Sequence, residues 1–121
     1  MSGKLNDREP IFEQITRWIS DQIIEGTLQT DDKIPSTNEI VQFYKVNHLT
    51  VSKGVNQLVE DGIIYKKRGV GMFVAEDARE KLIERRKEGF VKQYLKPMMD
   101  EAEKLKLTKS DIDRMIEEER K

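Results

Sequence analysis

The sequence predicts a mainly α-helical fold carrying one small β-hairpin. Three observations lead there. Apolar residues recur at helical spacing over most of the chain. Two short runs rich in β-branched and aromatic residues stand at 63–67 and 72–75. Between those runs lies the basic, glycine-bearing stretch Arg68-Gly69-Val70-Gly71, a hairpin loop by composition.

Taken in order, residues 1–9 are polar and are expected to fray. Pro10 suits the first helical position, where its missing N–H costs nothing. Phe12, Ile15, Ile19 and Ile23 follow at helical spacing, Ile11, Trp18 and Ile24 widen the face, and Gly26 ends the helix. Residues 27–34 read as a polar connection anchored by Leu28 and Ile34. Ser36-Thr37-Asn38-Glu39 has the form of a capping box, with Ile40, Val41, Phe43 and Tyr44 as the buried side of a second helix and 44–46 as a turn. Asn47 is a good N-cap for a third helix, whose core stripe is Val51, Val55, Leu58 and Val59; Asp61-Gly62 stops it.

From about Asp77 onward Leu82, Ile83, Phe90, Val91, Tyr94, Leu95, Met98, Met99, Ala102 and Leu105 recur at threes and fours. They predict one long amphipathic helix, or two joined by a bend. Pro97 should kink it and Gly89 should weaken it. Thr108, with Asp111 three residues on, predicts another N-cap, and Ile112, Met115 and Ile116 line one side of a last helix.

Composition narrows the function classes. The 121 residues are 36% hydrophobic, enough for one modest core. A net charge of −1 speaks against a chain that coats nucleic acid non-specifically, but leaves room for a local basic patch. The absence of cysteine removes disulfides, thiolate metal sites and cysteine nucleophiles. The start, MSGKLNDREP, lacks the apolar core of a signal peptide, and no apolar run approaches a membrane span. The expected setting is the cytoplasm, without membrane contact.

Three helices followed by a basic hairpin form a winged helix-turn-helix, which suits DNA. A helix fits the major groove with its N-terminal residues at the base edges. With the apolar stripe of the third helix turned inward, Asn47, His48, Leu49, Ser52, Lys53 and Asn56 point outward or along the flank, and Thr50 can bond a phosphate. Lys66, Lys67 and Arg68 beside Gly69 and Gly71 supply attraction and close backbone approach. Over residues 44–74 five basic residues face two acidic ones, so positive charge is concentrated here in a slightly acidic chain. With Ser36, Thr37 and Asn38 at the start of the second helix, these residues, Asn56 excepted, are the expected DNA-contacting set.

Residues 10–74 resemble the N-terminal domain of GntR-family transcription regulators. The resemblance is carried by Pro10-Ile11-Phe12-Glu13-Gln14-Ile15, Gly26-x-Leu28, Ile34-Pro35-Ser36, Val46-Asn47-x-x-Thr50-Val51, Leu58-x-x-x-Gly62 and Gly69-x-Gly71-x-Phe73-Val74. The short remainder, with Leu105-Lys106-Leu107-Thr108 as its inter-helix turn, is similar to the YtrA subfamily. That resemblance implies a two-helix C-terminal region used for dimerisation, and repression of the chain's own operon and a neighbouring transporter. The chain departs from the family where Asn38, His48 and Ser52 stand at positions commonly held by arginine. Base preference is therefore expected to rest on Asn47, His48, Ser52 and Lys53.

The domain organisation expected is a winged helix-turn-helix over 10–76 and a helical dimerisation region over 77–121. Leu82, Ile83, Phe90, Val91, Tyr94, Leu95, Met98, Met99, Ala102, Leu105, Ile112, Met115 and Ile116 are the expected dimer face. A lone amphipathic pair of helices exposes an apolar stripe that a second copy would cover, and two heads would then meet half-sites about one DNA turn (~34 Å) apart on a palindrome. Phe90, Tyr94, Met98 and Met99 can alternatively line a small-molecule pocket, and an unidentified effector would bind in the dimer cleft or between the two regions. Trp18 is expected to pack toward the C-terminal region. His48, the only histidine, cannot form a metal site alone; no cofactor and no catalytic set is expected. The alternative function is a winged helix that binds protein and never reads DNA.

Overall fold

The computed structural model describes residues 5–121. Helix α1 runs Ile11–Glu25, α2 Thr37–Tyr44 and α3 His48–Glu60; strands β1 (Ile64–Lys67) and β2 (Gly71–Val74) follow, then α4 (Ala78–Phe90), a π-helical turn Val91–Leu95, α5 (Lys96–Lys104) and α6 (Lys109–Glu119). The chain divides into two compact units, the first ending at Ile83 and the second spanning Glu84–Lys121.

The first unit is built on one apolar core. Ile15, Ile19 and Ile23 of α1, Ile40 of α2 and Val51, Val55 and Leu58 of α3 meet Ile34, Ile63, Ile64 and Val74 there. Each helix stops where the backbone turns left-handed. Gly26 (φ 89°) follows α1 and Gly62 (φ 74°) follows α3, and the Ile63 N–H closes on the Leu58 carbonyl at 3.0 Å. The Ser36/Glu39 capping box is formed in both directions, at 3.1 Å each way. Pro10 is the residue just before α1 rather than its first.

β1 and β2 pair antiparallel, Ile64 opposite Val74 and Lys67 opposite Gly71. The stretch expected as a plain connection has a third role. Residues 31–34 form a further edge on β2: the Asp31 N–H donates to Val74 O, the Val74 N–H to Asp32 O and the Ile34 N–H to Met72 O, each at 2.9 Å, with Lys33 opposite Phe73.

Several expectations need correction. Residues 6–9 are not frayed, because the Gln14 side chain accepts from the Asn6 N–H (2.8 Å) and donates to the carbonyls of Asn6 (2.7 Å) and Glu9 (2.9 Å); residues 1–4 lie outside the described residues. Phe43 is 51% exposed and meets the edge of Tyr44 at 5.0 Å, while Ile40, with Val41 and Tyr44 beside it, forms the inward side of this short helix. Trp18 finds its aromatic partner in Tyr44 of α2, edge-on at 5.9 Å. Leu82 belongs to the first unit's core, not to a dimer face. Arg79 Nε donates to the Ile24 carbonyl (2.9 Å) and Lys81 Nζ to that of Gly62 (3.5 Å), so the start of α4 is held against the ends of α1 and α3 and Ala78 and Leu82 turn inward.

In the second unit helix continues through residue 104. The irregularity expected at Pro97 falls one turn earlier, as a π turn closed by the Lys96 N–H on Val91 O. The wider turn relieves the ring of Pro97, which would otherwise strike the carbonyl one α-turn back. α5 ends with Lys106 left-handed (φ 57°) and the Leu107 N–H on Ala102 O at 2.9 Å. Thr108 and Asp111 then form the second capping box, which starts α6. Met98, Ala102, Leu105, Leu107, Ile112, Met115 and Ile116 line an open apolar groove of about 500 Å³ between α5 and α6.

Candidate nucleic-acid interface

α3 is seated very close to α1. A Cβ at Gly54 would lie 2.8 Å from the Phe12 carbonyl oxygen, so this glycine sets how near the two helices come. With Val51, Val55 and Leu58 turned into the core, His48, Leu49, Lys53 and Asn56 are exposed and Thr50 and Ser52 half-buried.

Asn47 does what its position predicts: its side-chain oxygen accepts from the Leu49 N–H at 2.7 Å. That leaves the amide NH₂ of Asn47 for an outside acceptor. His48 Nδ1 stands 3.5 Å from Ser52 Oγ, one helical turn on. Leu49 is 76% exposed, an apolar tip between polar neighbours. The Lys53 ammonium rests 4.1 Å above the centre of the Phe12 ring, which draws this charge to the α1 flank of the helix.

The wing joins this face. Lys66 Nζ donates to Asn56 Oδ1 at 3.2 Å. Lys67 lies over Phe73, 4.9 Å from the ring centre. Phe73 in turn stacks on Tyr65 at 5.7 Å. The Tyr65 hydroxyl donates to Asp31 Oδ1 at 2.7 Å, and this bond, together with some loss of water, raises its pKa. Arg68 and Gly69 are exposed at the tip, where the Val70 N–H closes the turn on Lys67 O at 2.9 Å and Gly69 has φ 75°. At the start of α2, Asn38 is exposed and Thr37 half-buried. The Ser36 hydroxyl is engaged by Glu39, whose carboxyl is held below its ordinary range first by the backbone hydrogen bond from Ser36, then by the Ser36 hydroxyl and by the charge of Lys33.

All fourteen residues expected to touch DNA therefore lie in the first unit, on α2, α3 and the wing. Two residues that shape this head were missed in the sequence. Gly54 carried a signal, a glycine inside a helical stripe. Lys33 carried none, because the pairing of 31–34 with β2 has no local pattern. The expected dimer residues are divided. Phe90, Val91, Tyr94, Met98, Met99, Leu105, Met115 and Ile116 are exposed, Ile83, Leu95 and Ile112 half-buried, and Ala102 and Leu82 buried. Among the described residues no helix is long and apolar enough to cross a membrane.

A three-helix head whose third helix is capped, outward-facing and tied to a basic β-wing is a winged helix-turn-helix of the DNA-reading class. The profile of the family described as "Bacterial regulatory proteins, gntR family" matches residues 11–74, and the chain belongs to that family. It is 34% identical over 93 residues to the HTH-type transcriptional repressor YtrA of Bacillus subtilis (strain 168), covering 77% of this chain and 71% of that one. Among solved structures, a GntR family transcriptional regulator from Listeria monocytogenes superposes with TM-score 0.73 at 31% identity, covering 94% of this chain and 98% of that one. The DNA-binding domain of AraR in complex with operator ORE1 superposes with TM-score 0.54 at 35% identity, covering 62% of this chain and 94% of that one. The chain is a DNA-binding transcription regulator, as the resemblance implied, and not an enzyme.

Proposed function

We propose that this chain acts as a homodimeric repressor that occupies a palindromic operator, with its own operon and a neighbouring transporter as targets. The observation that carries the reading is the joined face of α3 and the wing, with Asn47 capping the helix and Lys66 bonded to Asn56. Asn47, His48, Ser52 and Lys53 choose the bases, because short polar groups at the start of a groove-bound helix meet base edges. Lys66, Lys67 and Arg68 supply salt-dependent affinity, and Ser36, Thr37 and Asn38 meet the phosphate backbone.

The second unit supports dimerisation, with Phe90, Tyr94, Met98, Met99, Met115 and Ile116 exposed. A second copy covering them would space the two heads for half-sites about one helical turn apart (~34 Å).

Footprinting on the DNA upstream of the chain's own gene tests the reading, and repeating it with candidate small molecules tests for an effector. A protected palindrome supports it. No protection anywhere would sink autoregulation. DNA binding that is absent or indifferent to salt would favour the alternative of a winged helix that binds protein.

A further inference from the structure

We propose that Lys33 is an additional phosphate-contacting residue of the reading head, aimed by the missing side chain of Gly71. This rests on the DNA-reading function above and adds a residue that lies outside both the recognition helix and the wing.

Along β2 and the edge that residues 31–34 add to it, alternation puts Ile34 and Val74 into the core, and Lys33, Phe73 and Gly71 on the opposite face. Lys33 sits directly across from Phe73. Two positions along on the same face, Gly71 presents no side chain, and the lysine stem lies across the gap: a Cβ at Gly71 would be 2.7 Å from Lys33 Cε and 3.5 Å from its Nζ. Any other residue at 71 would displace that stem. The ammonium is thereby brought against Gly71, on the rung of the wing next to its turn. Its charge also reaches Glu39 at the start of α2 and helps keep that carboxylate ionised.

Lys33 thus stands between the two segments, the α2 start and the wing, that a DNA backbone would touch. The residue is exposed, with the stem lying where a side chain at 71 would otherwise stand, so the ammonium is open to a phosphate. A lysine ammonium is a point charge suited to a phosphate oxygen, which makes the contact indifferent to base sequence. Its attraction to Glu39 is exposed to solvent, where such pairs are weak, and a phosphate competes with it.

The test uses the full chain, the variants Lys33→Met and Lys33→Arg, and two duplexes: the segment protected upstream of the gene and a mixed-sequence control. Methionine keeps an unbranched stem over Gly71 and removes the charge. Affinity is measured from 50 to 200 mM salt, with circular dichroism to confirm folding. Lys33→Met should reduce the slope of log affinity against log salt by about 0.9 on both duplexes, so the loss of affinity across that range becomes about three-fold smaller. Lys33→Arg should keep the wild-type slope. A folded Lys33→Met with an unchanged slope overturns the proposal, as does a change on the protected segment alone. Should Lys33→Met not fold, Lys33→Gln takes its place with the same expected slope. A wild-type chain with no salt-dependent binding to either duplex would instead remove the DNA-reading function itself, and Lys33 with it.

Discussion

The Lys66 ammonium donates to the Asn56 side-chain oxygen at 3.2 Å, joining the wing to the outer face of α3. Lys67, one residue on, is held over the Phe73 ring instead. The two lysines therefore have separate supports, and their effects on DNA binding should add. Each change to glutamine should lower the salt slope by about 0.9, and the double variant by about 1.8, on any DNA sequence. A salt titration of binding by fluorescence anisotropy reads this directly. Unchanged slopes would remove the wing from the interface.

Gly54→Ala sets two effects against each other. Alanine favours helix by about 1 kcal/mol. Its Cβ, however, would sit 2.8 Å from the Phe12 carbonyl oxygen, a backbone atom that cannot swing away. Overpacking of this kind costs about 1–3 kcal/mol, so net destabilisation of about 1 kcal/mol is expected in urea unfolding. A neutral or stabilised variant would show that α1 and α3 can separate freely.

Asn47 has two roles that substitution can separate. Asn47→Ala removes the bond to the Leu49 N–H and should cost about 1 kcal/mol of stability. Asn47→Ser keeps a capping oxygen and should cost little. Both should lose base discrimination against single-site operator variants in a competition assay. Full discrimination by the serine variant would leave Asn47 a cap and nothing more.

Glu39 should titrate below the ordinary glutamate range, since the Ser36 N–H and hydroxyl bond its charged form and Lys33 lies near. A depressed carboxylate contributes stability that is present above its unfolded pKa and is lost as pH falls through the folded one. Acid should therefore loosen α2, and Glu39→Gln should flatten that acid limb. Carbon-detected NMR titration of the Glu39 carboxyl gives the midpoint, and an ordinary value would count against a formed capping box in solution.

Met115 is exposed and lines the groove between α5 and α6. Met115→Glu should shift the chain from dimer to monomer in sedimentation velocity. It should weaken binding to a palindrome while leaving a single half-site unaffected. A monomeric wild type would sink the dimer assignment.

Short-range logic was the readable part of this chain. The capping boxes at Ser36/Glu39 and Thr108/Asp111 and the stops at Gly26 and Gly62 each depend on neighbours within a turn. The core faces of α1 and α3 follow from helical spacing alone. What escaped involves distant partners. The edge at 31–34 acquires its identity from β2. Gly54 matters only because Phe12 passes it. Periodicity marked Leu82 as apolar-facing but could not say which apolar surface it meets; Arg79 on Ile24 O decides that. The same holds for the interface: the exposure of Asn47 and His48 follows from the inward stripe, whereas the anchoring of Lys53 on Phe12 requires the packed α1–α3 pair.

The Gln14 amide has a practical corollary for where the reading head begins. Buried on α1, it makes three hydrogen bonds to a segment with no regular structure of its own. A truncation starting at Pro10 would retain every helix and strand yet remove all three of these bonds and uncover the amide, at about 1 kcal/mol for each bond lost. The minimal autonomous fragment accordingly starts at or before Asn6, and a purification tag belongs upstream of that residue rather than fused against the first helix.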